Sequence, residues 1–162
     1  MMDSLTRPLL VVDDSDIDFE ILQSVVSRTV VDQLVFRCTD GDEALSFLFQ
    51  TGEYADPDTA PRPGVILLDL NLPGTEGLDV LARVKQDDQL KSIPIVVLTS
   101  STNPDHIKQC YQRGASSYVV KAMNTQKFIA TLQSLIHFWL ESAVLSYSEQ
   151  PWLSHRSAFP QC

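Results

Sequence analysis

The run Val65-Ile-Leu-Leu68 restricts the fold more than any other part of the chain. Four apolar residues in succession, closed by Asp69 and then broken by Pro73-Gly74, read as a strand covered on both faces, the condition of a strand inside a parallel sheet. Asp69 then stands at the strand's carboxyl end, where open α/β sheets carry their sites. Many strands also end in an Asp that merely caps the next turn, so the other segments have to decide its role.

They repeat the pattern. Leu9-Leu-Val-Val12 ends in Asp13-Asp14, Leu34-Val-Phe36 leads to Cys38, Ile93-Pro-Ile-Val-Val-Leu98 ends in Thr99-Ser100-Ser101, and Ser117-Tyr-Val-Val120 ends in Lys121. Between them the apolar residues switch to helical spacing. Ser15 or Asp16 is placed to cap a helix bearing Ile17, Ile21, Leu22, Val25 and Val26. Asp40-Gly41-Asp42-Glu43 opens a second through Ala44, Leu45, Leu48 and Phe49, and a third runs from Thr75 to Gln86. Asn103-Pro104 starts a fourth that reaches Arg113 and closes on Gly114. The last begins near Asn124-Thr125 and carries Phe128, Ile129, Leu132, Leu135, Ile136, Trp139 and Leu140 on one stripe.

Five strands alternating with five helices predict an α/β fold, a doubly wound five-stranded parallel sheet in the flavodoxin-like order 2-1-3-4-5. One domain is expected over residues 1–146, with residues 147–162 a tail expected to be flexible. Residues 51–64, rich in Pro, Gly and acids, form a connection longer than the usual 4–6 residues or so, a length more often functional or mobile than accidental.

The formal net charge is −9, which opposes binding to a phosphate backbone; no nucleic-acid partner is expected. No run of about 18 apolar residues is present, so no membrane span is expected, nor is a signal peptide, and the chain is expected in the cytoplasm. Three cysteines, Cys38, Cys110 and Cys162, lack metal-binding spacing, and the first two are expected to be buried thiols.

In a parallel sheet Asp13, Asp14, Asp69, Thr99 and Lys121 all fall on one edge, with the first and third strands adjacent. Three converging carboxylates repel unless a cation joins them. Mg²⁺ suits such a site because it binds through few carboxylates and keeps several waters. A carboxylate beside a divalent ion, a lysine and a hydroxyl has the parts of a phosphoryl acceptor.

Val11-Val-Asp-Asp14, Leu67-Leu-Asp-Leu-Asn-Leu-Pro-Gly74, Val97-Leu-Thr-Ser100 and Gly114-Ala-Ser-Ser-Tyr-Val-Val-Lys121 together resemble the receiver domain of two-component response regulators. The resemblance implies a phosphoacceptor rather than a turnover enzyme. Asp69 would take a phosphoryl group from a sensor histidine kinase, with only Mg²⁺-dependent self-phosphorylation and slow autodephosphorylation as activity. It also implies metal binding by Asp14 and Asp69, by the Asn71 backbone carbonyl and by Asp13 through water, with Mn²⁺ able to replace Mg²⁺. Thr99 and Tyr118 would be the switch pair, Lys121 would pair with phosphoryl oxygens, and Ser100 and Asn71 would line the phosphoryl pocket. The loop 51–64, Leu68–Gly74 and His137-Phe-Trp-Leu140 further resemble small stand-alone regulators of cyanobacterial-type phytochrome kinases. That narrower likeness implies a phytochrome-type kinase partner and a homodimer through the last helix and adjacent surface, Phe138 and Trp139 being candidates.

Two alternatives stand beside this reading. One is a pseudo-receiver that works as a dimeric binding module without phosphorylation. The other, a phosphatase of the haloacid dehalogenase type, wants a second Asp two residues after the nucleophile, where this chain has Asn71. Receivers usually follow the lysine with a cis-proline, whereas here Ala122 follows. A cis bond before a non-proline residue costs about 2.5–4 kcal/mol, so a trans bond, a rerouted loop through Asn124 and a displaced Lys121 ammonium are the expectations.

Overall fold

A computed structural model of the chain describes residues 7–30 and 32–145. The strands are β1 (Leu9–Val12), β2 (Val35–Cys38), β3 (Val65–Leu68), β4 (Ile95–Thr99) and β5 (Ser117–Val120). The helices are α1 (Asp16–Thr29), α2 (Gly41–Phe49), α3 (Gly77–Gln86), α4 (Pro104–Gln112) and α5 (Thr125–Ile136). All strand pairs are parallel, and their order is β2-β1-β3-β4-β5, as the alternation of elements predicts.

The period of two along each strand divides the interior into two layers. Leu10, Val12, Ile66, Leu68, Ile95 and Val97 face α2 and α3, where Leu48, Val80, Leu81 and Val84 meet them. Leu9, Val11, Val65, Leu67, Val96 and Leu98 face α1 and α5, against Leu22, Val26, Phe128, Leu132 and Ile136. Uninterrupted apolar runs are therefore what a doubly covered sheet requires, and β1 and β3 are buried at every position.

The expected caps form where short polar side chains precede helices. Ser15 accepts from the Asp18 amide at 3.3 Å, Asp40 from Glu43 at 2.7 Å, Asn103 from Asp105 at 2.9 Å and Asn124 from Lys127 at 3.0 Å. Gly114 follows α4 at φ +101°, a conformation that favours glycine.

Several boundaries and faces differ from the sequence reading. α3 starts at Gly77, not Thr75, because Thr75 gives its hydroxyl to Asp42 and Gly41 N–H bonds the Pro73 carbonyl at 3.2 Å. β4 starts at Ile95, after Pro94, whose carbonyl still accepts from Ile66 at 3.0 Å. Ile17 does not join the apolar face of α1 and is 71% exposed. The last helix changes to a π-helical turn at His137–Ser142, which leaves Phe138 exposed while Trp139 and Leu140 pack on the α1/α5 layer.

Residues 51–64 are anchored rather than loose. The Tyr54 hydroxyl donates to Glu43 Oε1 at 2.7 Å, and its ring meets Phe47 edge-on at 5.3 Å. Gln50 Nε2 bonds the carbonyl of the buried Ala60 at 2.9 Å, and Arg62 reaches the Leu48 carbonyl. The tail reading and Cys162 lie outside the described residues. Among those residues no helix is long and apolar enough to cross a membrane.

Two measurements test this packing. A Cβ on Gly77 would come to 2.3 Å from the Asp69 carbonyl oxygen and 2.6 Å from Leu70 Cα, both backbone. Gly77→Ala is therefore expected to destabilise by about 1–3 kcal/mol, as overpacking does; an unchanged urea midpoint would contradict that contact. Cys38 is buried, as expected, and burial, with Glu43 and Asp40 adding to it, pushes its thiol up to about 12 from 9.0. A raised folded value stabilises fully below the unfolded one and loses that contribution as pH rises from about 9 to about 12. Stability should fall across that window less steeply in Cys38→Ala, and native Cys38 should resist alkylation at pH 8.

Candidate functional site

Strand ends bring the site together. Asp13 and Asp69 follow β1 and β3, and the ladder continues one residue past each strand: Asp69 N–H bonds the Val12 carbonyl at 2.9 Å and Asp13 N–H the Cys38 carbonyl at 3.0 Å. The backbones are thus held in register while both carboxylates remain 4% and 6% exposed. Lys121 N–H likewise bonds the Thr99 carbonyl at 2.8 Å, which carries the lysine to the same edge.

At the centre, Lys121 Nζ lies 2.8 Å from Asp13 Oδ2, 3.0 Å from Asp69 Oδ2 and 3.0 Å from Asp18 Oδ2. An ammonium has three N–H donors, and three carboxylates take them. The expected displacement of Lys121 does not occur. No peptide among the described residues is cis, as expected at Ala122, yet the ammonium sits fully in the pocket because three carboxylates attract it there. Met123 is exposed and Asn124 caps α5, so the loop turns outward only after the lysine is placed.

Burial raises the Asp13 carboxyl above its ordinary value, opposed by the Lys121 hydrogen bond and by the Ser15 amide at 2.8 Å, and reinforced by the Asp69 charge. Burial alone would lower the Lys121 ammonium, but the hydrogen bond and charge of Asp13, then the charge of Asp69, outweigh it and hold the lysine above its usual range. Carboxylate oxygens of Asp13, Asp14 and Asp69 all lie within 4.8 Å of one another. Two of these residues are buried and Asp14 is exposed at the mouth. Hard oxygen donors in excess of positive charge, with an open side, fit a hard divalent cation.

The neighbouring residues separate into those that join this cluster and those that do not. Asn71 donates its backbone N–H to Asp69 Oδ1 at 3.2 Å, which orients the carboxylate. Thr99 is fully buried, and its hydroxyl takes a long 3.5 Å bond from Ser101 N–H. Tyr118 donates to the Ser101 carbonyl at 2.8 Å, so the two expected switch residues meet through Ser101. Ser100 is exposed beside them. A groove of about 380 Å³, lined by Leu70, Asn71, Leu72, Glu76, Leu78 and His106, adjoins the Asp69 loop.

Sequence reasoning missed three participants. Asp18 bonds Lys121 from the first turn of α1; its position five residues after Asp13 carries no motif, although one helical turn beyond the Ser15 cap faces the strand end. Arg37 on β2 donates Nε–H to the Asp13 carbonyl at 3.1 Å and reaches Asp16 at 2.8 Å, with Phe19 beneath the guanidinium at 4.8 Å. Ser101 Oγ meets His106 Nδ1 at 2.7 Å, a link that only the β4–α4 geometry creates.

The response regulator receiver domain profile matches residues 9–133, and the chain belongs to that family. Among relatives, response regulator Rcp1 of Synechocystis sp. is 40% identical over 139 residues, covering 86% of this chain and 92% of its own length. The crystal structure of Mn²⁺-bound Rcp1 superposes with a TM-score of 0.83 at 39% identity, covering 87% of this chain and 99% of that one. The phosphorylated cyanobacterial phytochrome response regulator RcpA gives a TM-score of 0.83 at 37% identity, with 88% and 99% covered.

Removing the ammonium tests the charge balance. Lys121→Met leaves Asp13 and Asp69 buried without a cationic partner, and loss of one member of a buried pair costs about 3–5 kcal/mol. Urea unfolding at pH 7 should show that loss, and millimolar Mg²⁺ should restore part of it by binding the folded state. Equal stability of variant and wild type without divalent ions would contradict the charge balance.

Proposed function

We propose that this receiver accepts a phosphoryl group on Asp69 from the phosphohistidine of a sensor kinase and passes the signal on through protein contacts. The observation that carries the reading is the buried Asp69 carboxylate held between Lys121 and the Asn71 amide, within reach of the Asp13 and Asp14 oxygens. Asp69 is the nucleophile: a carboxylate oxygen forms a bond to phosphorus as the P–N bond to imidazole breaks, and the imidazole nitrogen keeps the electron pair. Asp14 and Asp69 would hold Mg²⁺, with the Asn71 carbonyl as a further donor and Asp13 acting through water. The bound ion supplies charge neutralisation to the phosphoryl oxygens.

Lys121 neutralises further charge beside Asp69, and Thr99 offers a hydroxyl from the end of β4. Phosphorylation adds nearly two negative charges. A shift of the Thr99–Ser101 segment towards them would carry Tyr118 along, because its hydroxyl is bonded to Ser101. Ser100 and Asn71 border the space that the phosphoryl group enters. The metal and phosphoryl states named for Rcp1 and RcpA support both assignments, and the RcpA likeness supports a phytochrome-type kinase as donor. Phe138, 53% exposed beside Trp139, gives the π-helical turn after α5 an apolar surface for a second copy of the chain.

Incubation with acetyl phosphate and Mg²⁺ should add the mass of one phosphoryl group to the wild type and none to Asp69→Asn. Chelation of the metal should suppress the addition. An unmodified wild type would return the chain to the reading of a phosphorylation-independent binding module.

A further inference from the structure

Lys121 has no N–H to spare. Its three donors go to Asp13, Asp18 and Asp69. Two of these carboxylates, Asp13 and Asp69, also belong to the trio whose oxygens converge on the candidate cation position, whereas Asp18 does not. A divalent ion on that trio would draw on the same carboxylates that hold the lysine and would repel the ammonium beside them. Asp18 is then the partner that neither metal nor phosphoryl group claims.

From this division we infer that Asp18 is a positioning residue: it retains the Lys121 ammonium at the pocket when Asp13 and Asp69 turn to the metal, and so lets both cations occupy one site. The inference rests on the cation assignment above. Asp18 is built for the role by three features. Its own N–H is fixed by the Ser15 cap at 3.3 Å, which sets its place on the first turn of α1. Its carboxylate is more exposed than those of Asp13 and Asp69, which sets it apart from the buried pair. Arg37 holds the neighbouring Asp16 at 2.8 Å and the Asp13 carbonyl at 3.1 Å, which keeps the turn between strand and helix from opening. Lys121 in turn lacks a following proline to restrict its loop, and an anchor on its ammonium takes that part.

The inference also orders the exchange at Asp69. When a phosphoryl oxygen arrives, the lysine's bond to Asp69 Oδ2 is the one replaced, while the bonds to Asp13 and Asp18 keep the ammonium in reach. Without Asp18, the lysine has only Asp13, which the metal also polarises.

Mn²⁺ titration by calorimetry separates this role from a bystander charge. Asp18→Asn in the wild-type background should weaken Mn²⁺ binding by about tenfold, and Asp18→Glu should restore most of it. In a Lys121→Met background the same Asp18→Asn change should cost less than about threefold, since only the loss of a distant charge remains; the difference between backgrounds is the coupling between the two residues. Equal weakening in both backgrounds, or no weakening in either, would overturn the inference. Acetyl phosphate labelling of the wild type, measured in parallel, tests the phosphoacceptor reading on its own: Mn²⁺ coupling without labelling would sink that reading and leave the Asp18 role standing, and labelling without coupling would do the reverse.

Discussion

The site depends on one buried ammonium surrounded by three carboxylates. Lys121 makes it possible to place Asp13 and Asp69 side by side at the end of an apolar sheet, where two unpaired negative charges would otherwise oppose folding. Burial is what raises the carboxyl of Asp13; the arrangement is still acidic overall, which is why a further cation fits. Stability and reactivity thus have the same origin: the residual negative charge that a metal would neutralise is the charge left after the lysine has been counted.

The sheet supplies the accuracy this charge arrangement needs. Backbone bonds extend one residue past β1, β3 and β5, so the polar residues inherit the register of the apolar ones. Gly77 brings α3 against the carbonyl of Asp69 with no room for a side chain. Asp42 and Thr75 tie α2 to the loop that carries Asn71. The two layers of the core, one on each face, leave the strand-end edge as the place where polar groups gather.

Much of this was legible in the sequence because it follows from periodicity. Runs such as Val65–Leu68 specify covered strands, Pro73-Gly74 and Asn103-Pro104 mark boundaries, and the strand-end residues Asp13, Asp69, Thr99 and Lys121 mark one edge. Residues whose roles depend on orientation were not legible. Ile17 fits the helical stripe by spacing and faces solvent, whereas Asp18 looks like a first-turn acid and reaches the lysine. The absent proline after Lys121 suggested a displaced ammonium, but a local backbone preference is outweighed by three charge-assisted hydrogen bonds. The loop at 51–64 stood out by its length, and what holds it is not local: Tyr54 and Arg62 reach Glu43 and Leu48 on α2, and Gln50 after that helix reaches back to Ala60.

The π-helical turn at His137–Ser142 has a consequence of its own. A turn of this kind holds one residue more than an α-helical turn, and each residue of an α-helix advances the helix by about 100°. The aromatic pair Phe138 and Trp139 therefore sits at a point where the phase of the helix is reset, with one ring turned outward and the other inward. Deleting a single residue just before the pair would leave hydrophobicity nearly unchanged and yet move the Trp139 ring to the place where Phe138 now meets water. In this segment, length rather than composition decides what the surface presents.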